Sequence, residues 1–264
     1  MLREFCLGVL LLEIRSGWAR LPPCSPRLMK PHVLLAEVAT PAGDQLALYS
    51  HDDNFFLKAN GVQLMTSAAQ APEEELARLG CAPLRPATQP HVLIGGLGLG
   101  FTLTEACRTL PQKGARFTVA EVIPELVTWN RTHLAHLHPG VWEDPRVAIH
   151  RGEVRDLIGR RQEAYNVILL DADNGPEAFQ GKNNDVLYTL EGLQQLSAAL
   201  KAGGILAIWS ASGDPGIEQR LSRAGFEVSR AEVPAAHRGQ RKRRHIIWIA
   251  RNGEYQPKRH SQKP

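Results

Sequence analysis

Three glycines alternate at Gly96, Gly98 and Gly100, directly after the apolar run Val92-Leu-Ile94, and four acids follow them at wide intervals: Glu121, Glu153, Asp171 and Asp173. An apolar strand running straight into alternating glycines turns tightly into a helix and lets the backbone lie against a ligand with no Cβ between them. A carboxylate about 20 residues further on has the spacing at which both hydroxyls of a ribose are bound, and Glu121 holds that place. Each acid alone has an ordinary structural use: Glu121 as a cap for a helix beginning at Pro124, Glu153 as an acid near a helix start, Asp171 as the opening of a turn. Four carboxylates converging on one glycine loop predict a ligand with a ribose, an adenine amine and a positive charge. S-adenosylmethionine and its decarboxylated form, both sulfonium cations, meet that description, whereas the phosphates of a dinucleotide would be repelled by Asp171 and Asp173.

These acids converge only if each ends a strand of one parallel sheet. The pattern supplies such strands at Arg116–Val122, Val147–His150 and Tyr165–Asp171, with a further one at Gly204–Ser210. Helices are predicted between them from Pro124, near Val154–Arg160 and near Leu190–Leu200. Continuous apolar runs such as Val167-Ile-Leu-Leu170 mark strands buried on both faces. A last helix at Gly216–Ala224 precedes two strands, Phe226–Val233 and His245–Ala250, with no helix between them, so one of the two runs antiparallel. The fold class is therefore α/β, a seven-stranded Rossmann-like sheet of the class I methyltransferase type. Ahead of it, Val33–Val38, Gln45–Ser50, Asn54–Lys58 and Val62–Thr66 predict a small antiparallel β-meander. Pro72 then opens a helix with Glu73, Glu74 and Glu75 in its first turn, where the macrodipole favours acids, and Leu76 and Leu79 on its buried face.

The division expected along the chain is a leader over 1–28, disordered or a start-site artefact; the meander and its helix over 29–82; the transferase-type domain over 83–252; and a basic disordered tail over 253–264. Phe5–Leu12 resembles a secretory h-region, but Glu4 and Glu13 flank it and it is too short to span a bilayer. Four scattered cysteines without a metal-type spacing fit a reducing, cytoplasmic setting. The net charge of +4 is uneven: residues 237–264 carry nine Lys and Arg against Glu254 alone, which leaves residues 1–236 at −4. An acidic body suits a cationic ligand rather than a nucleic acid, and the basic end reads as solvated, with at most non-specific contact to RNA. His133, His136 and His138 straddle a helix end with no carboxylate at matching spacing, so they read as surface histidines and no metal is expected.

Over Val33 to Ala250 the chain resembles the spermidine synthase (polyamine aminopropyltransferase) family. The resemblance is carried by the meander, Val119-Ala-Glu-Val122, Gly152-Glu153, Ile168-Leu-Leu-Asp-Ala-Asp-Asn-Gly-Pro176, Leu187-Tyr-Thr-Leu-Glu191 and Ala199-Leu-Lys-Ala-Gly-Gly-Ile-Leu206. It implies that Glu121 holds the ribose, that Glu153 lies at the adenine, and that Asp173 is the catalytic acid of the family's Asp-Ser-Ser-Asp-Pro segment, with Asp171 as its electrostatic partner. It also implies a homodimer and a small-molecule amine as acceptor. Three positions depart from the family: Leu99 stands where its glycine loop carries an Asp, Pro72 replaces the Tyr of a Tyr-(His/Gln)-Glu segment of which Glu74 is the matched acid, and Trp209-Ser210 replaces a Gln.

The expected activity is aminopropyl transfer from decarboxylated S-adenosylmethionine to a polyamine or related amine, with Asp173 as base. Glu74, Asp173 and Trp209 are the expected substrate contacts, and the absence of a nucleophile motif argues against hydrolysis. A methyltransferase using intact S-adenosylmethionine gains from Leu99 and loses from Ile94, where such enzymes usually place an acid. The third reading is a non-catalytic adenosyl-binding paralogue.

Overall fold

Alternating and continuous apolar patterns become two sheets in a computed structural model that describes residues 31–40, 43–160, 162–171, 185–210, 216–234 and 244–253. Every described residue from His32 on belongs to one contact unit. The expected leader, Asp173 and the basic end beyond Gly253 lie outside the described residues.

The first sheet is the expected meander, β1 (Val33–Ala39), β2 (Gln45–His51), β3 (Asn54–Ala59) and β4 (Val62–Thr66), antiparallel throughout and paired in chain order. Asn60 and Gly61, both at positive φ (49° and 81°), make the two-residue turn between β3 and β4, the backbone that a tight hairpin demands.

The second sheet comprises β5 (His91–Gly95), β6 (Arg116–Glu121), β7 (Val147–Arg151), β8 (Tyr165–Leu170), β9 (Leu200–Ser210), β10 (Phe226–Pro234) and β11 (Arg244–Asn252). Their spatial order is β10-β11-β9-β8-β5-β6-β7, with β5 to β9 parallel and β11 antiparallel to both neighbours. The antiparallel ending read from the sequence is thus the last strand, inserted between β9 and β10. Because β10 and β11 pair, the basic run at 238–243 belongs to the connection between two strands and not to a tail.

Adjacent residues of the inner strands face opposite layers and all are buried. Ile94, Val167 and Leu169 pack beneath α1 (Ala71–Cys81) and α2 (Phe101–Thr109), while Leu93, Ile168 and Leu170 pack against α4 (Val154–Ile158), α5 (Leu190–Ala199) and α6 (Ile217–Arg223). This explains runs without alternation: a parallel strand covered on both faces has no polar side. The meander's Leu46, Leu48 and Leu57 form a third cluster with Leu99 and Phe101 of the glycine segment and with Leu126 and Trp129 of α3 (Pro124–Thr132). Among the described residues no helix is long and apolar enough to cross a membrane.

Candidate functional site

The chain leaves β5 for β6 and β7 on one side, then returns to β8 on the other. Between β5 and β8 the connections diverge and open a crevice beyond the carboxyl ends of the strands. Gly96, Gly98 and Gly100 follow β5 at φ +89°, +52° and +91°; Gly96 and Gly98 line the crevice and Gly100 does not. A Cβ on Gly100 would lie 2.7 Å from Asn130 Oδ1 and 2.9 Å from His138 Nε2, so this position has neither the conformation nor the room for a side chain.

Three buried polar side chains hold the intervening peptides one after another. The Leu97 amide donates to Glu121 Oε2 at 2.8 Å, Asn130 Nδ2 donates to the Gly98 carbonyl at 2.9 Å, and His138 Nε2 donates to the Leu99 carbonyl at 2.7 Å. The carbonyl acceptor fixes the His138 tautomer with its proton on Nε2, so Nδ1 accepts from the Thr104 hydroxyl at 2.7 Å. Burial lowers the His138 pKa, which keeps the ring neutral for that arrangement. The expectation of three surface histidines is therefore corrected at His138, which is 1% exposed; His133 is half-buried, and His136 is exposed with its ring against Phe55. Sequence reading missed Asn130 and His138 because a polar residue on or just after a helix ordinarily faces water.

Glu121 ends β6, 4% exposed, and its second oxygen accepts the Ile123 amide at 2.8 Å. Burial raises its pKa, amide donors led by Leu97 pull it back, and the charge of Glu153 raises it further. Ile123 is the residue preceding α3, so the helix-cap alternative is partly realised. The same carboxylate ties that cap to the glycine loop. Glu153 precedes α4 but makes no side-chain cap hydrogen bond, leaving its carboxylate to the crevice.

The cavity beneath the loop is walled by Gly96, Gly98, Glu121, Glu153, Val154, Leu170 and Asp171, and closed from the meander side by Leu46, Leu57, Leu64 and Met65. The structure thus brings together Gly96, Gly98, Glu121, Glu153 and Asp171. Leu99 lies elsewhere: it is fully buried in the meander cluster and does not line the cavity. Trp209 packs on the α1 and α2 side of the sheet with its ring 5.1 Å from that of His245. Glu74 lines a separate groove with Glu75, Arg78, Glu105, Arg108 and Glu232.

The acid of α1 that turns inward is Glu73. It stands in register with Leu76, Ala77 and Gly80, the i, i+3, i+4, i+7 stripe by which the helix packs, and Gly80 sits directly on Leu169 of β8. Burial and the charge of Asp171 push its carboxyl up to about 8. The sequence held this signal, since the stripe includes position 73.

Similarity to known proteins agrees with this geometry. No family model matches the chain. A polyamine aminopropyltransferase 2 from Pseudomonas aeruginosa is 29% identical over 156 residues, 56% of this chain and 42% of that protein. A polyamine aminopropyltransferase from Sulfolobus acidocaldarius is 27% identical over 122 residues, 46% of this chain and 39% of that protein. The chain thus matches about two fifths of the length of these curated relatives. The spermidine synthase structure from Thermotoga maritima superposes with a TM-score of 0.65 at 18% identity, covering 84% of this chain and 73% of that one. A spermidine synthase in complex with the transition-state analogue AdoDATO gives 0.64 at the same identity and coverage.

The chain is similar to polyamine aminopropyltransferases over about half its length, and its fold is that of the solved spermidine synthases.

At position 99, where the sequence resemblance places an Asp, Leu99 belongs to the cluster that joins the glycine segment to the meander.

Proposed function

We propose that this chain transfers an aminopropyl group from decarboxylated S-adenosylmethionine to a primary amine, and that its nucleoside occupies the cavity under the glycine loop. The observation that carries this reading is the sign of the cavity: every charged side chain among its described lining residues, Glu121, Glu153 and Asp171, is an acid. Such a cavity favours a cationic donor and disfavours a phosphate. Glu121 would accept from the ribose hydroxyls, and Glu153 would accept from the adenine amine.

In the reaction, the amine lone pair attacks the methylene carbon next to the sulfonium, the carbon–sulfur bond breaks, and its electrons leave on a neutral thioether. The attacking nitrogen must first lose a proton, because a primary amine has a pKa of about 10.4. Asp173, expected from the sequence resemblance to take that proton with Asp171 as its electrostatic partner, lies outside the described residues.

Methyl transfer from intact S-adenosylmethionine is the second reading. It is favoured by one observation, that residues 96–100 present no acid to repel the donor's carboxylate. Calorimetry with both donors separates the two. Aminopropyl transfer requires tighter binding of the decarboxylated donor, and Glu121→Gln should weaken it on the order of tenfold to a hundredfold, since one charged acceptor of buried hydrogen bonds is lost. Preference for the intact donor would favour methyl transfer, and binding of neither would favour the non-catalytic paralogue.

A further inference from the structure

Three glycines among residues 96–100 leave this wall of the cavity with a backbone of great conformational freedom, so its shape has to be imposed by hydrogen bonds. The backbone supplies some of them. The Gly96 amide donates to the Ala120 carbonyl at 2.9 Å, the Gly100 amide to the Leu97 carbonyl at 2.9 Å, and the Thr104 amide to the Gly100 carbonyl at 3.1 Å. The Gly98 and Leu99 carbonyls receive no backbone donor among the described residues, and they are the two that Asn130 and His138 take.

Asn130 is fully buried, and its amide nitrogen serves the Gly98 and Leu126 carbonyls at 2.9 Å each. Its Oδ1 is buried with no hydrogen-bond partner among the described residues. The two ends of the amide cannot exchange places, since the oxygen would then face two carbonyls. Gly98 is where this hold reaches the cavity. It lines the cavity, and a Cβ on it would lie 2.8 Å from Met65 Sδ, so the Gly98 backbone and Met65 meet in the same wall. A Gly98 peptide free to turn would move that wall against whatever lies inside.

We infer that Asn130 and His138 are positioning residues for the donor, which hold the Gly98 and Leu99 carbonyls so that Gly98 and Met65 fit the nucleoside. This rests on the nucleoside reading of the cavity given above. Thr104 acts one step further out: its hydroxyl on Nδ1 keeps the His138 proton on Nε2, where the Leu99 carbonyl accepts it. None of the three side chains lines the cavity, so their effect passes through the loop.

The test is calorimetry of 5′-methylthioadenosine binding to the full chain and its variants, with hydrogen exchange across residues 96–101 followed by mass spectrometry. Asn130→Leu and His138→Phe, which remove the donor and keep most of the shape, should each bind the nucleoside about tenfold more weakly. Both should exchange faster over that segment while β8 and β9 keep wild-type protection. His138→Gln, which presents an N–H near the place of Nε2, should stay within about threefold of wild type. Thr104→Val, isosteric and mild, should lose about threefold and decides the matter if the larger changes prevent folding. Leu196→Ala, in the core on α5, should lower Tm and leave the affinity unchanged, which separates positioning from stability. Wild-type affinity in Asn130→Leu and His138→Phe, or in Thr104→Val where those two do not fold, would overturn this inference alone. So would His138→Gln as weak as His138→Phe, or an equal loss in Leu196→Ala. Failure of wild type to bind the nucleoside would overturn the donor reading as well.

Discussion

Leu99→Asp, which restores the acid of the family's glycine loop, should unfold the protein instead of adding a contact to the donor. Leu99 is fully buried against Leu46, Leu48, Leu57, Phe101 and Ile123. Removing its side chain costs about 2–5 kcal/mol, and placing a carboxyl in that apolar cluster without a partner adds a few more. Together these approach the whole stability of an ordinary domain, about 5–15 kcal/mol. Leu99→Ala, which incurs only the first cost, is the comparison. Thermal melts followed by circular dichroism should show the Asp variant largely unfolded at 25 °C and the Ala variant folded with a lowered Tm. An Asp variant as stable as the Ala variant, with gained affinity for the decarboxylated donor, would mean that position 99 faces the cavity.

Glu73→Gln should be more stable than wild type above pH 8 and indistinguishable from it near pH 5. In the folded chain the Glu73 carboxyl keeps its proton up to about 8, whereas the unfolded chain releases it near the ordinary value of 4.5. Between these values the folded state binds more protons than the unfolded one, so wild-type stability falls as the pH rises across that window and is lowest above it. At 1.36 kcal/mol per unit the full effect is at most about 5 kcal/mol, of which local relaxation removes a part. Denaturant titrations of both proteins at pH 5 and pH 8.5 read the difference. Parallel pH dependence in the two would remove the buried, raised carboxyl from the description of the site.

Strands and helices were legible because burial on both faces leaves an unmistakable pattern. Val167-Ile-Leu-Leu170 has no polar side to present, and β10 and β11 follow one another without room for a crossover helix. The acids at the ends of β6, β7 and β8 were legible for the same reason: once the strands are placed, their ends are placed. What escaped is side-chain direction. Three consecutive glutamates at the start of α1 read alike as charges favoured by the helix dipole; the stripe of positions 73, 76, 77 and 80 carried the distinction, and the contact of Gly80 with Leu169 shows that this stripe is the face that turns inward, with Glu74 out. Leu99 escaped in the opposite sense. Alternation with glycines made it part of a ligand loop, whereas its carbonyl is held by His138 and its side chain belongs to the meander's core. Neither partner is near it in sequence.

Product identity bears most directly on the proposed activity. The full chain, incubated with decarboxylated S-adenosylmethionine and 1,4-diaminobutane and resolved by mass spectrometry, should yield the diamine carrying one added aminopropyl group and an equal amount of 5′-methylthioadenosine. A chain that binds the nucleoside yet forms neither product, or that methylates an amine from intact S-adenosylmethionine, would contradict aminopropyl transfer.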